Sequence, residues 1–98
     1  MNPFGFFPKG RDEGLKEKLS VAVKRIEAHR RELEIIRGKL ETRRQVLFET
    51  TVKAFERKDE TRATVYANEH AELKKVIRVV TVGELALTQI IVRLESIR

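Results

Sequence analysis

A chain of 98 residues holds one small domain or a piece of a larger protein. Charged side chains make up 37% of it, and 21 Lys and Arg against 15 Asp and Glu leave a net charge of +6, which suits an anionic partner such as a membrane surface or a nucleic acid. The absence of cysteine rules out a disulfide framework and a thiolate zinc site, and no apolar run reaches the roughly 20 residues needed to span a bilayer.

Residues 1–12 read as a separate segment. Pro3, Pro8, Gly5 and Gly10 interrupt regular structure, and no continuous apolar stretch of the signal-peptide kind is present. Phe4, Phe6 and Phe7 are three of the five Phe in the protein, and Lys9 and Arg11 follow at once. Aromatic rings beside positive charge form the pattern of an interfacial membrane anchor. The alternative is a flexible terminus, or one whose rings fold back on the rest of the chain.

Asp12 can cap a helix that begins near Glu13 or Gly14, and the pattern predicts helix 1 over about 13–57. Leu19, Ile26, Leu33, Leu40, Leu47 and Ala54 fall seven apart. A strict seven-residue apolar repeat keeps one seam of a helix facing a partner along its length. With Leu19 labelled a, position e carries Arg30, Arg37 and Arg44, and position b carries Glu27, Glu34 and Glu41. Lys24 and Arg31 fall at f, and Lys18 and Arg25 at g. The signs therefore segregate into a basic and an acidic flank. Lys16, Lys18, Lys24, Arg25 and Arg31 are candidates, with the N-terminal segment, for contact with an anionic membrane. Gly38 lies inside the pattern at about 1 kcal/mol cost against Ala, either as a tolerated residue or as a bend.

A polar turn at 58–59 leads into helix 2, predicted over about 60–98 with Asp59 as its cap. Tyr66, Leu73, Val80, Leu87 and Leu94 again fall seven apart. Two long heptad runs joined by a short turn predict an all-α, antiparallel, coiled-coil-like hairpin over 13–98, with paired residue numbers summing to about 117. The ten heptad residues from Leu19 to Leu47 and from Tyr66 to Leu94 are its candidate core. The later half of helix 2 is apolar on nearly every face, Val79, Val82, Leu85 and Val92 included. One partner helix cannot cover all of it, so these four are candidates for self-assembly. The pattern still runs at Arg98, which reads as a chain cut within a longer protein.

No catalytic constellation emerges. His29 and His70 are the only histidines, and the pairing rule keeps them apart. No Gly-rich loop follows a strand pattern, and Ser20 and Ser96 have no neighbouring base. The reading is of a protein that is not an enzyme and needs no cofactor or metal.

The segment Ala54-Phe-Glu-Arg-Lys-Asp-Glu-Thr-Arg-Ala-Thr-Val-Tyr-Ala-Asn-Glu-His-Ala-Glu-Leu-Lys-Lys-Val76 resembles the hairpin corner of the ESCRT-III superfamily, and archaeal cell-division proteins of the CdvB type in particular. The later Gly83-Glu-Leu-Ala-Leu-Thr-Gln-Ile-Ile-Val-Arg-Leu-Glu95 resembles the same family's second helix. The resemblance implies a filament-forming subunit that constricts and cuts membranes in cell division or vesicle budding. It implies a homopolymer, with paralogous subunits as further partners, on the cytoplasmic, inner face of the cell membrane, with the division site as one location. Such filaments are disassembled by an AAA ATPase through a C-terminal motif. That motif and the later helices are missing here, so the ATPase contact does not carry over.

Three other readings remain at the level of sequence. A PspA-like membrane-stress protein would use the same physics. A basic coiled coil could track phosphates with Arg30, Arg37 and Arg44, although no groove-reading helix is evident and no specific nucleic acid is expected. A purely structural or adaptor coiled coil would have no lipid role, and replacing Phe4, Phe6 and Phe7 by Ser would leave its activity intact.

Overall fold

The computed structural model describes residues 9–97, with side chains described from Glu13 onward. Two long helices, α1 (Lys9–Glu56) and α2 (Glu60–Glu95), fold back on each other as an antiparallel hairpin measuring 80 × 18 × 13 Å. Pairs across the seam fix the register. Arg37 meets Glu84, Phe48 meets His70, and a β-carbon on Gly83 would sit 3.4 Å from Leu33 Cδ1. Pairs of this kind sum to between 116 and 121.

The helix limits differ from the sequence expectation at three points. α1 starts at Lys9, four residues early, so Asp12 lies inside the helix and not ahead of it. Once a helix is nucleated, a single Gly such as Gly10 costs about 1 kcal/mol and does not end it. Lys9 and Arg11 consequently belong to α1, while Phe4, Phe6 and Phe7 lie outside the described residues. α1 ends at Glu56, with Arg57 and Lys58 in the turn, and α2 ends at Glu95. There the Ser96 hydroxyl donates to the Arg93 carbonyl at 2.7 Å, and Ser96 and Ile97 turn out of the helix.

The turn closes by backbone hydrogen bonds. Asp59 N–H donates to the Ala54 carbonyl at 2.9 Å and Lys58 N–H to the Phe55 carbonyl at 3.0 Å. This double closure, with Lys58 at φ 59°, is the Schellman arrangement that satisfies a helix's last carbonyls. The left-handed position usually holds Gly, and a side chain there costs about 1–2 kcal/mol. Asp59 then caps α2, its carboxylate accepting from Arg62 N–H at 3.2 Å.

Apolar burial is confined to the strip between the helices. Ala54, Ala63, Ile77 and Ile91 are the buried apolar residues among those described. Ala63, with no exposed surface, and Ala54 let the helices approach closely beside the turn. α1 runs unbroken through Gly38, where an added β-carbon would meet nothing within 4 Å.

Candidate assembly face and cationic flank

All ten heptad residues expected in the core, Leu19, Ile26, Leu33, Leu40, Leu47, Tyr66, Leu73, Val80, Leu87 and Leu94, are half-buried. The buried positions of α2, Ala63, Ile77, Glu84 and Ile91, fall with the half-buried His70 into a second column, also seven apart. Each lies three residues before a member of the Tyr66 to Leu94 run, which is the e position when Tyr66 is labelled a. A two-helix seam is therefore two columns wide, and the a column marks one of them. The signal was present in the sequence as a run of small, apolar and two polar residues at the e positions.

The two polar members of that column behave differently. Glu84, 8% exposed, accepts a hydrogen bond from Arg37 Nε across the seam at 2.6 Å. The carboxylate raises the Arg37 pKa, chiefly through that hydrogen bond. Both charges are thus paired, as buried charges require. His70 packs its ring 6.0 Å from that of Phe48, and its Nε2 is buried without a partner among the described residues. His29 lies on the exposed surface, 3.7 Å from Glu32.

The arginine stripe lies along the seam, not on the outer face. Arg30 donates to Glu27 at 2.6 and 2.9 Å and to Glu34 at 3.3 Å, Arg44 to Glu41 at 2.9 Å, and Arg37 to Glu84. The acidic b column and the basic e column are neighbours on α1, with Glu27 and Glu41 half-buried and Glu34 exposed. Arg30 holds the Glu27 carboxyl below the usual range, mainly by its hydrogen bond. That stabilisation is present above the ordinary carboxylate pKa and fades as pH falls through the lowered value. Each of the three guanidinium groups is thus engaged by a carboxylate.

The outer half of α1 carries the remaining cations. Lys16, Lys18, Lys24, Arg25 and Arg31 are all exposed. Arg31 lies 3.8 Å from Glu27; the other four form no ion pair among the described residues. By register, Lys18, Lys24, Arg25 and Arg31 surround the line of Val21, Ala28 and Ile35, of which Val21 and Ile35 are strongly exposed. Apolar residues framed by cations are the composition of a helix face that rests on an anionic interface.

The back of α2 is apolar and open. Val79 is 71% exposed, Leu85 64%, Val92 60% and Val82 59%. These four lie on the side of α2 turned away from α1, so the hairpin alone leaves them uncovered. Val76 and Ile90 extend the same surface. A groove of about 380 Å³ runs beside Ile77 and Val82, edged by Glu41, Arg44, Lys74 and Arg78. Among the described residues no helix is long and apolar enough to cross a membrane, and no group of three His, Cys, Asp or Glu is placed to hold a metal ion.

The described residues form a long helical hairpin with an uncovered apolar back and a cationic flank. Across 92% of its length the chain is 37% identical to cell division protein B1 of Sulfolobus acidocaldarius, a homologue of the CdvB, ESCRT-III-like type. The chain spans 42% of that relative's own length. No protein-family model and no solved structure matches the chain.

Proposed function

We propose that the chain is a filament-forming, membrane-remodelling subunit of ESCRT-III type that serves in cell division, and that it is not an enzyme. The observation that carries this reading is the uncovered back of α2, Val79, Val82, Leu85 and Val92, on a chain related over 92% of its length to a cell division protein. An apolar surface of this extent on a narrow rod marks an interaction site. Copies of the same chain, or paralogous subunits, stacked side by side would cover it.

The membrane is met by the cationic flank of α1, Lys16, Lys18, Lys24, Arg25 and Arg31, together with Phe4, Phe6, Phe7, Lys9 and Arg11. The place of action is the inner face of the cell membrane at the division site, with the protein held peripherally. We assign an AAA ATPase no contact on these residues.

Electron microscopy of the purified chain with vesicles tests the reading. Vesicles rich in phosphatidylglycerol are expected to acquire ordered coats or to be drawn into tubes, and neutral phosphatidylcholine vesicles are not. Bare anionic vesicles at saturating protein would overturn it.

A further inference from the structure

The turn end of the hairpin holds a cavity of about 280 Å³ whose wall includes Thr50 and Lys53 from the end of α1, Arg57 and Asp59 from the turn, and Arg62 and Tyr66 from α2. Lys53 and Arg57 are one helical turn apart, and the Schellman turn folds Arg62 to the same side. Three cations thus share one hollow with a single carboxylate. Glu56 and Glu60, the nearest other acids in the chain, do not line it.

The local pairing leaves this charge unspent. Asp59 gives one oxygen to the backbone N–H of Arg62 and holds the other 3.6 Å from Arg62 Nε, a loose contact. Lys53 and Arg57 form no ion pair among the described residues. The Tyr66 hydroxyl, on a half-buried side chain, makes no hydrogen bond among them either. Thr50 has already given its proton to the Val46 carbonyl at 2.8 Å. Gathering like charges in one hollow is unfavourable unless an anion joins them. Two guanidinium forks, an ammonium and a phenol supply donors from several directions, which suits the tetrahedral oxygens of a phosphate better than the planar edge of a carboxylate.

We propose that this cavity binds a phosphate group carrying close to two negative charges, either a phosphate monoester or pyrophosphate. The group can come from a free polyphosphate or from the head of a monoester phospholipid. In the second case the hairpin gains a membrane contact at the end of the rod opposite the start of α1, and both ends of the rod are held. The proposal does not depend on assembly or on the N-terminal Phe residues.

Isothermal titration of the full chain with pyrophosphate tests it. The variant Lys53→Gln, Arg57→Gln, Arg62→Gln is expected to weaken binding by more than about tenfold, since Gln keeps helix propensity at these exposed positions. Asp59→Asn keeps the cap and removes the competing charge, and is expected to tighten binding by about threefold or more. Removing the same charge elsewhere, as Lys39→Gln, Arg43→Gln, Arg78→Gln, is expected to change it by less than about twofold. A parallel arm compares vesicles of phosphatidic acid with vesicles of phosphatidylglycerol at equal surface charge. A preference for phosphatidic acid that the turn-end variant removes assigns the lipid source. Pyrophosphate binding without that preference assigns a free phosphate. Equal losses in the two triple variants, or no binding to either probe, would overturn the site.

Discussion

Ile77→Ala is expected to destabilise the hairpin by about 2–5 kcal/mol, whereas Val79→Ala, two residues on, is expected to change monomer stability by no more than about 0.5 kcal/mol. Ile77 is 8% exposed and stands midway along the inner column of α2; Val79 is 71% exposed on its back. Small domains hold about 0.05–0.15 kcal/mol of stability per residue, so a chain this short has few such contacts to lose. Only three other apolar residues among those described, Ala54, Ala63 and Ile91, share Ile77's depth. Urea unfolding followed by circular dichroism in dilute protein measures both variants. Equal effects from the two would mean that the seam has been placed on the wrong face.

Replacing Phe4, Phe6 and Phe7 with Ser is expected to abolish co-sedimentation with anionic vesicles while leaving the helix content unchanged. Each inserted Phe contributes roughly 1.5–3 kcal/mol, and each basic residue near an anionic surface about 1 kcal/mol. Three rings with Lys9 and Arg11 therefore gross about 6–11 kcal/mol before the cost of ordering the segment and of lost freedom. For one copy the net is marginal, comparable to a single acyl chain. A filament presents many copies together, and effective concentration turns marginal contacts into firm ones. An assembly-deficient variant that keeps all three Phe should consequently lose vesicle binding as well. Binding retained after loss of the rings would move the whole contact to Lys18, Lys24, Arg25 and their neighbours on α1.

The hairpin was legible because heptad spacing and a polar turn act locally, and the chain follows both rules at once. The column Leu19 to Ala54, the column Tyr66 to Leu94 and the Asp59 cap all come from spacing and residue type. The second inner column was harder to see. Glu84 and His70 look like surface residues until their phase is set against Ala63, Ile77 and Ile91. The arginine stripe was misleading for the same reason. A charge at e reads as solvated from one helix alone, and only the antiparallel register brings Arg37 to Glu84. The start of α1 escaped because Gly10 and Pro8 signal a break, whereas a long helix absorbs one Gly at modest cost. The turn-end cavity depends on three cations, one each from α1, the turn and α2, that only the folded turn brings together.

Sedimentation velocity over a hundredfold range of protein concentration, about 1 to 100 µM to span weak self-association, tests the self-assembling hairpin most directly. The wild-type chain should shift from slow, elongated monomers to much larger species as concentration rises. The variant Val79→Ser, Val82→Ser, Leu85→Ser, Val92→Ser should remain monomeric with its helix content intact. A wild-type chain that sediments as a monomer throughout would contradict the account.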